Sequence, residues 1–139
     1  MSFRRGESRS SGDKFIKRKS TTVSIATDSV ATDISNFIPA GASVLAIKVE
    51  VTTSIVYGVI TDIGVDTDAD RFGSSATGWT LENDGDMVVT GGSITIDRGN
   101  WFAADATLRL TALSDGPPGT YPSAGAVNVT MLYVDGTIL

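Results

Sequence analysis

Cysteine and histidine are both absent from the 139 residues. The first absence rules out a disulfide, a thiolate metal site and a cysteine nucleophile. The second removes the usual general base, the commonest zinc ligand and any Ser-His-Asp triad. Aromatic residues are scarce at 7%, so base-stacking and sugar-stacking platforms are few. No apolar run comes near the roughly eighteen residues needed to cross a bilayer. The N-terminal charges have no apolar stretch behind them and do not read as a secretory signal. These absences point away from an enzyme, a cofactor and a membrane.

What is present is a division of charge. Residues 1–20 carry seven basic side chains, Arg4, Arg5, Arg9, Lys14, Lys17, Arg18 and Lys19, against Glu7 and Asp13. Residues 21–139 carry only Lys48, Arg71, Arg98 and Arg109 against fourteen acids. The expected organisation is therefore a basic arm, 1–20, joined to a single acidic domain, 21–139. The arm has too few apolar groups to offset its ordering entropy and is expected to be disordered or extended, ordering on a partner. Arg4, Arg5, Arg9, Lys17, Arg18 and Lys19 are its candidate contacts to acidic groups, and Phe15 and Ile16 its apolar anchors. Nucleic acid is a poor fit as partner, because the acidic body repels phosphate.

The body reads as short strands and turns. Thr21–Ala26 alternates and is taken as a first strand. Thr27–Phe37 is polar and irregular, with Ile34 and Phe37 as inward anchors. Ser43–Thr53 (SVLAIKVEVTT) is the clearest strand, with Leu45, Ile47, Val49 and Val51 on one face and Ala46, Lys48, Glu50 and Thr52 on the other. Such alternation means one buried and one wet face, and so an antiparallel sheet. Ile55–Val65 continues as a strand containing Gly58. Asp66–Gly85 reads as a long loop. Asp86–Thr90 and Ser93–Asp97 form a hairpin across Gly91-Gly92. Ala106–Leu113 and Ala126–Val134 are strands, separated by a Pro- and Gly-rich loop over 114–125. The fold class is all-β, an antiparallel β-sandwich of jelly-roll type with about seven or eight strands and no helix.

Few residues carry recognisable chemistry. Asp66, Asp68 and Asp70 have the spacing that opens a calcium loop. Arg71 then stands where that loop needs glycine, and Thr77 where it needs a bidentate glutamate. These three acids and Trp79 are the candidate loop site, with calcium a minor alternative and a solvated Asp-rich turn the simpler reading. Glu82, Asp84 and Asp86 form a second acidic cluster, read as a solvated turn. Trp101 is read as core, while Trp79 serves equally as core or as an interface anchor.

Phe37–Thr53 (FIPAGASVLAIKVEVTT), Ile63–Gly73 (IGVDTDADRFG), Leu108–Ala112 (LRLTA) and Gly125–Tyr133 together resemble a small β-domain of tailed-bacteriophage structural proteins. The resemblance spans roughly residues 36–134. It implies a non-enzymatic virion component: a domain of tail fibres or spikes, or a capsid decoration protein. Fibre proteins carry such a domain behind a long shaft, whereas here it follows a basic arm, which favours a cement protein at the capsid surface. The partners so implied are the major capsid protein and further copies of the chain, as a trimer. Two other classes remain open. A tail-fibre or receptor-binding carbohydrate module would use Trp79, Tyr121 and the 66–86 loop. A coat protein would bind nucleic acid through the arm.

Overall fold

A computed structural model describes residues 16–91, 102–112 and 119–135. These hold eight strands: β1 (Ile16–Ile25), β2 (Ala31–Ile38), β3 (Ala42–Thr53), β4 (Val59–Val65), β5 (Asp68–Thr80), β6 (Met87–Gly91), β7 (Ala106–Ala112) and β8 (Gly125–Asp135). They form two four-stranded sheets, ordered β1-β8-β3-β6 and β2-β7-β4-β5, in which every neighbouring pair is antiparallel. The two sheets pack as a β-sandwich.

The inner faces follow from alternation. β8 sends Val127, Val129 and Met131 inward, and β3 sends Ile47, Val49 and Val51. From the second sheet, Ile60, Ile63 and Val65 of β4 and Leu108 and Leu110 of β7 meet them. Each such side chain contributes about 1.5–3 kcal/mol on burial. The alternation of β3 is not continuous. A register shift between Val44 and Ala46 puts Ala42 and Val44 inside and turns Leu45 part-way out. Leu45 therefore does not belong with Ile47, Val49 and Val51, because one bulged residue reverses the parity of everything before it.

Several segments differ from their expected form. The first strand begins at Ile16 rather than Thr21, so Ile16–Ser20 pair with β8 from Val134 to Thr130. The polar 27–37 stretch holds all of β2 but its last residue, with Phe37 buried and Ile34 packed against the core. The expected 66–85 loop is mostly β5, an edge strand paired with β4. Gly58 lies not within a strand but in a turn, where its N–H donates to Ile55 O at 2.9 Å. The hairpin expected at Ser93–Asp97, and Trp101, lie outside the described residues.

Tyr121 is fully buried although it sits in a loop segment. Its hydroxyl donates to Leu110 O at 2.8 Å, and its backbone pairs with the β1–β2 turn through Asp28 N to Tyr121 O and Tyr121 N to Ser29 O. Burial pushes its pKa up. It is a core plug and is not accessible to a ligand.

Candidate interaction surface

Sheet register places the outward side chains of the first sheet in rows. One row is Arg18, Leu132 and Ala46; the next is Ser20, Thr130, Lys48 and Val89; the third is Thr22, Asn128, Glu50 and Met87. The first two rows frame a shallow depression of about 260 Å³ lined by Arg18, Ala46, Lys48, Val89, Thr130 and Leu132. Its floor is aliphatic and two cations stand at its margins. Val89 is 65% exposed, Met87 53% and Leu132 39%. Exposed aliphatic side chains normally occur singly; here Met87 and Val89 follow one another on the outer side of β6, and Leu132 lines the same depression as Val89. Neither Arg18 nor Lys48 has an ion-pair partner among the described residues.

Strand geometry separates the basic residues that the sequence placed together. Lys17 and Lys19 point to one side of β1 and Arg18 to the other. Lys17 Nζ pairs with Asp135 at 3.3 Å. Lys19 Nζ donates to Phe37 O at 2.9 Å and sits 5.1 Å from the centre of the Phe37 ring. Both are thus engaged within the chain. Arg18 is exposed on the outer face and Ile16 is 55% exposed. Arg4, Arg5, Arg9 and Phe15 lie outside the described residues.

The candidate loop site does not assemble. Asp66 lies in the β4–β5 turn, and Asp68 and Asp70 open β5. Trp79 pairs with Ile60 while Asp68 pairs with Val65, five positions away along β4, or about 16 Å. The Asp70 carboxyl, hydrogen-bonded to that of Asp68, holds Asp68 above the usual carboxylate range. Among the described residues no three acids are grouped to hold a metal ion. The calcium alternative therefore has no ligand set here. Trp79 is half-buried against the core and borders a separate open depression of about 300 Å³, with Asp86 and Met87 nearby.

The residues that the sequence did not single out are Val89, Thr130 and Leu132 of the depression, together with Val56 and Tyr57. Lys48 was visible as the one cation on the outward face of the clearest strand. Val88 and Val89 are adjacent apolar residues on one strand, so one of them must face out; that signal was present but unspecific.

No family model matches the chain, and no curated protein matches it. Among solved structures the chain is similar to one from the "Cyanophage Pam1 capsid asymmetric unit". The match covers 86% of this chain and 84% of that chain, at 21% sequence identity and a TM-score of 0.51. At that identity the likeness is one of fold, and it extends over nearly the whole length of both.

Proposed function

We propose that this chain is a non-enzymatic structural protein of a bacteriophage virion, a cement protein that binds the outside of the capsid as a homotrimer. The fold likeness to a chain of a phage capsid, nearly end to end in both, is the observation that carries the reading. The strand orders β1-β8-β3-β6 and β2-β7-β4-β5 support a jelly-roll assignment, since first and last strands are neighbours and successive strands alternate between sheets except at β4 and β5, which pair with each other. The aliphatic, cation-edged outer face of the first sheet supports association with other subunits. The basic residues 4, 5 and 9 supply further charge toward an acidic capsid surface. Several copies acting together on a repeating lattice multiply weak individual contacts.

Cosedimentation of the full-length protein with emptied capsids of its own source tests this. Saturable pelleting is expected, weakened by the triple variant Arg4→Gln, Arg5→Gln, Arg9→Gln. Full-length protein that stays in the supernatant at every concentration overturns the proposal. The receptor-binding alternative keeps Trp79 and Asp86 at an open depression but loses Tyr121, which is buried. Retention on a glycan array would favour it.

A further inference from the structure

The turn between β3 and β4 is the most exposed apolar feature of the described surface. Tyr57 is 80% exposed and Val56 60%. Tyr57 adopts φ 64°, a left-handed conformation that bulky side chains rarely take. The turn is nevertheless firmly built. Ile55 beside it is buried, its N–H donates to Leu81 O at 2.8 Å, and Leu81 N–H returns to Gly58 O at 2.9 Å. Two carboxylates cap it from the neighbouring 81–86 segment. Asp84 Oδ1 accepts from Ser54 N–H at 2.8 Å, and Glu82 Oε1 accepts from Tyr57 N–H at 3.1 Å. The result is a rigid apolar knob with an acidic collar, held in a strained conformation that leaves its side chains in water. Such backbone strain is characteristic of sites shaped for contact.

The depression on the first sheet is its chemical complement. It has an aliphatic floor where the knob has Val56 and Tyr57, and Arg18 and Lys48 where the knob has Glu82 and Asp84. Glu50, on that face among the described residues, lies in the next row and would repel the collar from that side, which fixes the orientation of entry. We propose that copies of this chain associate head to side, the Val56–Tyr57 turn of one copy seated between Arg18 and Lys48 of the next. The knob lies beyond the end of β3, whereas the depression lies around Ala46 and Lys48 in the middle of that strand. The two patches are therefore different surfaces, the contact is heterologous, and repetition closes a ring or grows a fibre. The rigidity of the turn limits the ordering cost of docking. This inference supplies an interface for the homo-oligomer proposed above, and its significance for the virion rests on that reading.

Light scattering coupled to size exclusion, on the full-length protein over a concentration series, tests it with two variants at exposed positions. Tyr57→Ser removes the knob, and Val89→Asp places a carboxylate where the collar would land. Circular dichroism checks that both fold. The parent protein is expected to associate, and each variant alone to dissociate at concentrations roughly tenfold or more higher than the parent. Mixing the two restores one good knob and one good depression, so heterodimers and nothing larger are expected. A parent that is monomeric throughout, variants that associate as the parent does, or a mixture that stays monomeric would each overturn the inference. Pelleting with capsids, measured on the same samples, is a separate readout. A parent that associates but does not pellet sinks the cement reading and leaves this interface standing.

Discussion

The two sheets share one core yet treat their outer faces differently. On the second sheet, outward polar groups satisfy one another. Arg109 clasps Asp33 with Nε to Oδ1 at 2.7 Å and a second guanidinium nitrogen to Oδ2 at 2.9 Å. Ser74 Oγ donates to Asp62 Oδ1 at 2.7 Å across the adjacent pair. On the first sheet the outward cations Arg18 and Lys48 stand without such partners among the described residues, and between them lie aliphatic side chains. A face whose charges are already paired gains little by contacting another molecule, since those pairs must be broken or carried in intact. An aliphatic face with uncommitted cations gains by being covered.

The comparison predicts where damage should be shared and where it should stay local. Damage to the common core should be shared. Leu110 from the second sheet and Met131 from the first are both fully buried. Leu110→Ala and Met131→Ala are each expected to cost about 2–5 kcal/mol, through lost burial plus the cavity left behind. Urea unfolding of each should remain a single transition. A variant that unfolds in two steps would show that the sheets are separate cooperative units, against the sandwich described here.

Gly64 should affect the second sheet alone. A Cβ added there would fall 2.3 Å from Asp68 O and 2.4 Å from Ala69 O, backbone atoms of the adjoining edge strand. Backbone cannot swing aside as a side chain does, so Gly64→Ala is expected to cost about 1–3 kcal/mol by overpacking. Amide hydrogen exchange should show β5 opening more often, with β1 and β8 keeping their protection. Equal loss of protection in both sheets would mean that the strain is transmitted through the core.

The unequal visibility of the two sheets in sequence has the same physical origin. β3 and β8 sit inside the first sheet, flanked by strands on both sides, and their Val and Ile alternate with polar residues in the familiar period of two. β5 is an edge strand on which only Phe72 is buried. Its Asp, Ser and Gly residues mostly face solvent, and a strand with little to bury looks like a loop. β1 hides for a related reason: Lys17 and Lys19 occupy its inward parity at the sheet edge, where long stems cover the rim while the ammonium groups find Asp135 and Phe37 O. The basic character of the segment was plain, but its division between two faces depended on pairing with β8. Tyr121 was invisible as core because its burial comes from loop hydrogen bonds rather than from any periodic pattern. The depression on the first sheet draws residues from β1, β3, β6 and β8, which only the folded topology brings side by side.

The paired charges of the second sheet give a smaller, pH-dependent effect. The hydrogen bonds from Arg109, aided by its charge, hold Asp33 below its ordinary value of 3.8. A depressed carboxylate favours the folded state when ionised, so its contribution is complete well above pH 3.8 and is lost as pH falls through and below that value. The pair is partly exposed, which limits it to less than about 1 kcal/mol. Asp33→Asn should lower the urea midpoint at pH 7 and approach the parent protein near pH 3. A difference that persists unchanged at pH 3 would assign the effect to packing rather than to charge.

The smallest effect on folding belongs to the outer face of the first sheet. Val89 is largely exposed, so replacing it with serine removes little buried area and leaves no unsatisfied group. The expected change in stability is within about 0.5 kcal/mol, measured on protein dilute enough to be monomeric. A surface that can be rewritten at so little cost to the fold is under no folding pressure to remain aliphatic, so a large loss of stability in Val89→Ser would place the residue in the architecture of the monomer. An unchanged unfolding midpoint alongside weakened association would place it in a contact between molecules. That contrast separates the two faces directly, since substitution of Arg109 on the other sheet should move the unfolding midpoint and leave association as it was.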